Sequence, residues 1–291
     1  MRFFVTLPGL LFVLITDTAL SADLTKHELS VASTHLKAPQ VFSSAGPVIF
    51  QDRFTRRLQQ WMLSIDDGSD GSFINPRVVL VQHEGDAVPA VRMTLPGDPG
   101  KFRSELSLPA EKNYQERWYA ERTLIPQATD DNGFILMQWH ALIGEDKKRH
   151  QNETGIHNFP NLAIHFKNDR FEVTRAWGPL VNSWRDHRTL AQSWASNQWM
   201  DWVVHAVWSE QDDGLIQIWQ NRQLVYEARG PNLYNDVERV TPYFKTGIYR
   251  PSRKPKNGHN RNEADTVIYV RDVSIGNASA DFTQMQNTFS P

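Results

Sequence analysis

The stretch FILMQWHAL, Phe134 to Leu142, has the composition of a buried β-strand, yet two polar side chains interrupt it. Successive side chains of a strand point to opposite faces of the sheet, so residues two apart share a face. This alternation predicts a core face made of Ile135, Met137, Trp139 and Ala141. Gln138 and His140 then stand side by side on the opposite face, where a Gln–His pair is unusual among apolar neighbours.

The rest of the chain, from Val48 onward, repeats short runs rich in Val, Ile, Trp, Tyr and Phe that turn residues separate. Two of these runs form predicted hairpins, one turning at Asn168–Asp169 and the other at Asn221. No sustained helical period and no internal repeat are present. The pattern predicts an all-β protein, a two-sheet antiparallel β-sandwich of the jelly-roll, concanavalin-like type.

The N-terminus has the features of a secretory signal. Met1-Arg2 is basic, Phe3 to Ile15 is apolar, and small residues follow it. The apolar run is shorter than the ~20 residues of a spanning helix. We therefore expect a signal peptide over 1–22, a polar leader over 23–46 and one sandwich domain over 47–291. The mature protein is expected to be secreted or periplasmic, with no membrane contact after cleavage.

The composition of the chain excludes some kinds of chemistry and disfavours one class of partner. The 291 residues include no Cys, so disulfides and thiolate catalysis are excluded for this sequence. A net charge of −2 does not favour nucleic acid as a partner. Ten Trp and fifteen Phe are enough both to fill a core and to offer flat platforms for sugar rings.

Three further strands carry polar residues on their non-core face. They are KFRSELSL with Arg103 and Glu105, YFKTGIYR with Tyr243, Lys245 and Tyr249, and NLAIHFK with Asn161, His165 and Lys167. A solvent-facing sheet surface would explain any one of them. Taken together they are mostly cationic or neutral, with Glu105 as the acidic member. Such a face supplies donors for a carboxylate and groups that can move a proton.

FRSEL, QWH and YFKTGIYR resemble, in that order, the three signature segments of the β-jelly-roll polysaccharide lyases. Alginate lyases of this architecture carry R-S/T-E, Q-I/V-H and Y-F-K-A-G-x-Y segments. The Trp inside QWH and the chain from Trp199 to Tyr226 resemble the heparin lyase I and glucuronan lyase group more closely. The resemblance extends from about Val48 to Gly276.

This resemblance implies β-elimination on a uronate glycan, without a required cofactor. It assigns Arg103 and Gln138 to the substrate carboxylate, and His140 to its neutralisation or to the base. Tyr249 would deliver a proton to the leaving O4 oxygen and could also take the C5 proton, with Lys245 and Arg103 as nearby cations. The remaining residues of the polar face would contact substrate: Lys245, Tyr243, His165, Asn161, Glu105 and Arg250.

The predicted function is an endo-acting lyase that cleaves a 1,4-linked uronan and leaves 4,5-unsaturated ends. Trp139 and the segment GIYRPS depart from the alginate-lyase pattern, so glucuronan is the first expected substrate, followed by alginate and heparin-like glycans. The partner is an anionic polysaccharide, and the protein is expected to be a monomer.

Two alternatives remain from the residues alone. A lectin-like, non-catalytic carbohydrate-binding sandwich would keep the aromatic and basic groove but would not need Tyr249 beside His140. A glycoside hydrolase needs two carboxylates across the scissile bond, and the polar face offers Glu105 alone.

Two loops carry lesser expectations. The basic run RPSRKPKNGHNR, Arg250 to Arg261, could attract an anionic chain, with Arg253, Lys254 and Lys256 as its steering charges. The run DDGSDGS, Asp66 to Ser72, suggests a structural Ca²⁺ without identifying ligands.

Overall fold

Sixteen strands, one 3-10 turn and one short helix make up the regular structure in the part of the chain that the computed structural model describes. That part comprises residues 41–43, 45–55, 58–66, 68–70, 76–83, 85–111, 115–128, 133–141, 159–236, 241–254 and 263–290. The strands are β1 (Val48–Asp52), β2 (Met62–Ile65), β3 (Gly68–Asp70), β4 (Val78–Val81), β5 (Ala90–Leu95), β6 (Arg103–Ser107), β7 (Glu116–Leu124), β8 (Phe134–His140), β9 (Leu162–Lys167), β10 (Arg170–Trp177), β11 (Trp184–Ser193), β12 (Trp199–Val207), β13 (Leu215–Gln220), β14 (Gln223–Arg229), β15 (Tyr243–Tyr249) and β16 (Thr266–Gly276). The 3-10 turn is Pro251–Arg253, and the helix α1 is Phe282–Gln286.

The strands form two eight-stranded sheets. The front sheet has the order β11-β10-β9-β8-β15-β6-β2-β3. The back sheet has the order β14-β13-β12-β7-β16-β5-β4, with β1 also paired to β16. The pairings between these strands are antiparallel. The predicted two-sheet jelly-roll sandwich is confirmed, and the last strand of the chain lies in the middle of the back sheet.

Large aromatic side chains fill the space between the sheets. Trp61, Trp139, Trp202 and Trp208 are all fully buried. Met137, Trp139, Phe244 and Ile248, which strand alternation assigns to the core, are each no more than 3% exposed and belong to one apolar cluster. Both predicted hairpins are also present. Asn168 and Asp169 have φ of 49° and 58°, as a two-residue turn of the primed type requires.

A β-bulge interrupts the alternation of β8. Leu136 and Met137 are adjacent, yet both join the core cluster. The register with β9 slips between Ile135 and Met137, so that one residue of β8 is extra. Ile135 therefore pairs with His165 and Tyr249, and it is not part of the core cluster where the sequence placed it. The bulge is not visible in the sequence because all four residues from Phe134 to Met137 are apolar.

The expected signal peptide and most of the polar leader lie outside the described residues. Within the described ranges, no helix is long and apolar enough to cross a membrane.

A carboxyl group is buried in the core behind the front sheet. Glu121 of β7 is 1% exposed, and the hydroxyl of Thr246 on β15 donates to its Oε1 over 2.8 Å. Its Oε2 has no hydrogen-bond partner among the described residues. Burial raises the pKa of Glu121 well above 4.5, and the Thr246 hydrogen bond opposes this only in part. Glu121 therefore keeps its proton to a higher pH in the folded protein than in the unfolded chain, and its hydrogen bond with Thr246 joins the two sheets.

Glu121→Gln should flatten the alkaline side of the stability curve. Because the pKa of Glu121 is raised in the folded state, the folded chain keeps a proton that the unfolded chain releases. The free energy of unfolding therefore falls as the pH rises from the unfolded-state pKa to the folded-state pKa. The variant has no such proton, so it should lose this slope, which is at most about 1.4 kcal/mol per pH unit for one proton. Urea unfolding of both proteins between pH 5 and pH 9 measures the difference.

The matched control is Glu227→Gln, which alters an exposed carboxylate of β14. Its stability curve should run parallel to that of the unmodified protein. Parallel curves for Glu121→Gln as well would contradict a protonated Glu121.

Candidate active site

Gln138 and His140 share the outer face of the front sheet with two residues of the neighbouring strand. In the β8–β15 register, Gln138 lies opposite Lys245 and His140 lies opposite Tyr243. On its other side Gln138 lies opposite Ala163 of β9, a small residue. The Gln–His pair of the opening stretch therefore belongs to a polar surface built from several strands.

Glu105 is the centre of this surface. Gln138 donates from Nε2 to its Oε1, and Lys245 donates from Nζ to its Oε2 over 2.7 Å. Arg103 Nε lies 3.2 Å from the same Oε2. Glu105 is 1% exposed, so both of its oxygens are occupied by protein donors and are removed from solvent. We name Glu105, Arg103, Gln138 and Lys245 the carboxylate cluster.

Close approach of β15 to β6 makes this cluster possible. Gly247 lies opposite Glu105 in the register and has φ of +140°. A Cβ at this position would lie 2.4 Å from the carbonyl oxygen of Ser104 and 2.7 Å from Cα of Glu105. Only glycine allows this approach, because any side chain would push the two strands apart.

Tyr249 lies on the same face as the cluster but at its far end. It pairs with Ile135 and Arg103, and its ring lies 4.4 Å beneath the Arg103 guanidinium. Ile135 is five residues from His140, which at ~3.3 Å per residue corresponds to roughly 16 Å along the strand. Tyr249 is therefore not the residue directly opposite His140 in the register, which the sequence could not show, and the expected convergence of their side chains on one cleft stays a prediction.

Tyr243 is the tyrosine beside His140, and their ring centroids are 6.1 Å apart. Burial raises the pKa of the Tyr243 hydroxyl; the charge of Glu105 raises it further, while Arg103 opposes the shift. Tyr243 is consequently a protonated phenol near neutral pH. His140 Nδ1 lies 2.9 Å from the carbonyl oxygen of Ala141. A carbonyl only accepts, so Nδ1 carries the hydrogen and the lone pair of the neutral ring is on Nε2.

Among the residues that the structure describes, cations outnumber carboxylates around the cluster. Burial lowers the pKa of Lys245, the carboxylate of Glu105 raises it, and the charges of Arg103 and Lys254 lower it again. Three cationic side chains thus act on one another around the single carboxylate of Glu105. An anion placed beside them would relieve this excess of positive charge.

Two of the expected substrate contacts have protein partners instead. Asn161 is fully buried, and its Nδ2 donates to the carbonyl oxygens of Ala176 and Asn232. His165 Nε2 lies 2.9 Å from the hydroxyl of Thr174, and burial lowers the pKa of His165 to about 4. Asn161 therefore links β10 to the segment at Asn232 inside the protein. His165 is a neutral imidazole on the outer face.

Arg250 lies in a different cleft from the carboxylate cluster. It is 2% exposed, with Nη1 placed 3.2 Å from a carboxylate oxygen of Glu263. The cleft has a volume of about 520 Å³ and is bordered by 126–128, 263–267 and Tyr269. The expectation that Arg250 joins the polar face is contradicted, because its side chain points away from the face that carries Tyr249.

The basic run after Tyr249 is only partly a surface feature. Arg253 is fully buried, forms an ion pair with Glu263 and donates to the carbonyl oxygen of Pro96 over 3.0 Å. A steering role for Arg253 is therefore wrong. Lys254 is partly exposed, with its Nζ 5.5 Å from the Tyr249 ring and 5.6 Å from that of Phe102. Lys256 and the rest of the run to Arg261 lie outside the described residues.

Phe102 is buried, and its ring lies next to Tyr249 at the far end of the site. Its centroid lies 6.4 Å from that of Tyr249, and it packs beneath Lys254. It directly precedes β6, where alternation no longer fixes the direction of a side chain, so no local signal could have placed it.

A metal site receives no support from the geometry. Among the described residues, no group of three or more His, Asp or Glu is placed to hold a metal ion. Asp67, Gly71 and Ser72 of the oxygen-rich run Asp66 to Ser72 lie outside those residues, so a structural Ca²⁺ stays a prediction.

Comparisons with known proteins fit this description. A polysaccharide lyase family model matches residues 74–274. An endo-β-1,4-glucuronan lyase from the fungus Trichoderma reesei is 18% identical, with a TM-score of 0.54 over 78% of this chain and 91% of that one. Alginate lyase A1-II', of polysaccharide lyase family 7, is 12% identical, with a TM-score of 0.52 over 76% of this chain and 96% of that one. A search of curated proteins finds no significant match.

At these identities the two solved structures show a shared fold. The family match goes further, because residues 74–274 span more than half of the chain and contain the whole carboxylate cluster as well as His140 and Tyr243. The chain belongs to the polysaccharide lyase family, and the protein is a polysaccharide lyase.

Proposed function

We propose that this lyase cleaves a 1,4-linked, uronic-acid-containing glycan by β-elimination, leaving a 4,5-unsaturated uronate at the new non-reducing end. Glucuronan is the first substrate proposed, followed by alginate and heparin-like glycans. The observation that carries the proposal is the excess of cations around Glu105. Arg103, Lys245 and Lys254 act on one another across a single carboxylate, and a uronate supplies the missing negative charge.

The reaction makes two demands on the site. The C5–H bond breaks, its electron pair forms the C4=C5 double bond, and the C4–O4 bond breaks as O4 takes a proton. The C5 proton is weakly acidic until the neighbouring carboxylate is neutralised, because negative charge builds up on that group in the intermediate. Preorganised donors beside it lower this barrier.

The carboxylate cluster supplies these donors. Arg103, Lys245 and the amide of Gln138 would bind the uronate carboxylate and stabilise the enolate-like intermediate. Their positions are fixed before substrate arrives, since each already contacts Glu105. Fixed donors need no reorganisation during the reaction, which is the main source of such stabilisation.

Proton transfer falls to His140 and Tyr243. His140 holds its lone pair on Nε2 and can accept the C5 proton, while the protonated phenol of Tyr243 can deliver a proton to O4. Tyr249, to which the family resemblance assigns this proton, stays the second candidate donor, and its ring also supports the Arg103 guanidinium that lies over it.

Glucuronan is favoured over alginate by two sequence features. Trp139 occupies the middle of the QWH segment, where alginate lyases carry Ile or Val, and GIYRPS lacks their usual Gln or Asn after the Tyr. Export through the signal peptide 1–22 would bring the enzyme, as a monomer without a required cofactor, to such a polymer outside the cytoplasm.

The decisive experiment incubates the purified protein with glucuronan, alginate, heparin and a neutral glucan, and follows ultraviolet absorbance of the unsaturated product. We expect the largest signal on glucuronan and none on the neutral glucan. Absorbance on no acidic glycan, with retained binding to one of them, would favour the lectin-like alternative.

Tyr243→Phe and Tyr249→Phe form a matched pair, because both tyrosines lie on one face of β15. Tyr243→Phe should reduce kcat by about 10²–10⁴-fold, since the proton for O4 is lost. Tyr249→Phe keeps the ring beneath Arg103 and should retain most of the turnover. Steady-state kinetics on the best uronan measures both, with circular dichroism confirming the fold. The reverse ranking would restore Tyr249 as the proton donor.

Gln138→Ala should lower kcat by about 10²–10³-fold, because one preorganised donor to the developing charge is removed. His140→Ala should be at least as damaging, since it removes the proposed base. A loss of only about tenfold in His140→Ala would mean that Tyr243 itself takes the C5 proton.

Lys254→Ala should raise KM at low ionic strength by about 2- to 5-fold, the effect of one partly exposed charge pair. Salt screens such a charge, so the difference should shrink at high ionic strength while kcat changes little. Arg253→Ala should instead destabilise the fold, because it removes one of the two buried arginines paired with Glu263 and the hydrogen bond to the carbonyl oxygen of Pro96. An unchanged KM for Lys254→Ala at low salt would exclude a role in substrate encounter.

A further inference from the structure

We propose that Glu105 is a positioning residue that never contacts the glycan and instead sets the orientation of the Gln138 amide and the places of Lys245 and Arg103. The inference rests on the proposed function, which supplies the reaction that these three donors serve. It replaces the expectation that Glu105 binds substrate.

Protein donors occupy both oxygens of Glu105. Glu105 is 1% exposed, its Oε1 accepts from Gln138, and its Oε2 accepts from Lys245 over 2.7 Å with Arg103 Nε at 3.2 Å. A sugar hydroxyl that approached either oxygen would have to displace a protein donor. Each oxygen of the carboxylate therefore faces a protein donor.

The chemistry of a carboxylate fixes the Gln138 amide. An ionised carboxylate accepts and cannot donate, so it selects the nitrogen end of an amide that could otherwise rotate by half a turn. Gln138 Nε2 accordingly points at Glu105. The carbonyl oxygen, at the other end of the amide, is buried and has no hydrogen-bond partner among the described residues.

The same charge holds two cations in place. Lys245 is 5% exposed, and a buried ammonium without a counter-ion would tend to lose its proton or move to solvent. Arg103 bridges the remaining distance to the far end of the site, because its guanidinium contacts Glu105 and covers the Tyr249 ring at 4.4 Å. A substitution at Glu105 should therefore change the side-chain positions from Gln138 at one end of the site to Tyr249 at the other.

The test is Glu105→Gln, which keeps size and shape but removes the charge. We expect kcat to fall by about 100-fold, the order seen when a preorganised donor is lost. KM for the uronan should stay the same or fall, because the site becomes more positive by one charge. A rise in KM with unchanged kcat would show direct substrate binding and overturn the proposal.

A readout without turnover comes from the side-chain amide of Gln138. Its NH₂ signals, assigned by their loss in Gln138→Ala, should include one proton shifted downfield by the carboxylate, and this shift should vanish in Glu105→Gln. If the wild-type enzyme cleaves no uronan, the proposed function fails, and the amide signal still decides the role of Glu105. An unchanged amide signal in Glu105→Gln overturns the positioning role.

Two further variants keep the test decisive. Glu227→Gln, the same substitution on an exposed strand of the back sheet, should leave kcat, KM and the Gln138 signal unchanged. If Glu105→Gln fails to fold, Glu105→Asp retains the charge with a side chain one methylene shorter. The Asp variant should fold and lose at least about tenfold in kcat, as expected when catalytic groups are slightly misplaced. Wild-type kcat in Glu105→Asp would overturn the proposal.

Discussion

The alternation of side chains along β8, and its single interruption, determine what faces the substrate side of the front sheet. Because Leu136 and Met137 both enter the core, the residues before the bulge are shifted by one position relative to those after it. Gln138 and His140 keep their outward direction, and Ile135 joins them on the outer face. The bulge therefore extends the outer surface toward Tyr249 and Arg103.

A buried carboxylate organises the surface that results. Three donors from three neighbouring strands, β6, β8 and β15, meet at Glu105, and Gly247 allows the strands to come close enough for this. Buried charges are costly unless they are paired and hydrogen-bonded, so the cluster holds together only as a unit. Within it the sum of charges is positive, which supports the proposal of an acidic sugar as the ligand.

Much of the fold was predictable from local sequence patterns. The alternation of apolar and polar residues predicted the two-sheet sandwich, and the Asn168–Asp169 turn predicted a hairpin. Because Gln138 and His140 are two residues apart on one strand, the sequence also put them on the same face. The failures share one cause, which is that register between strands distant in sequence is set by tertiary packing. Alternation shows that Tyr243 and Tyr249 share a face, but not which of them lies opposite His140. The run of charges after Tyr249 likewise gave no sign that Arg250 and Arg253 turn inward to one carboxylate, Glu263.

The central position of β16 has a consequence for the order in which the molecule can assemble. This strand, Thr266–Gly276, is the last in the chain, yet it joins β5 to β7 and also pairs with β1. A nascent chain that lacks it has a back sheet in two separate halves. The back sheet can therefore close only after β16 has been synthesised, and such long-range pairing is slow to form. Until β16 docks, the edges of β5 and β7 that it covers carry unpaired backbone groups, which are open to pairing with another chain.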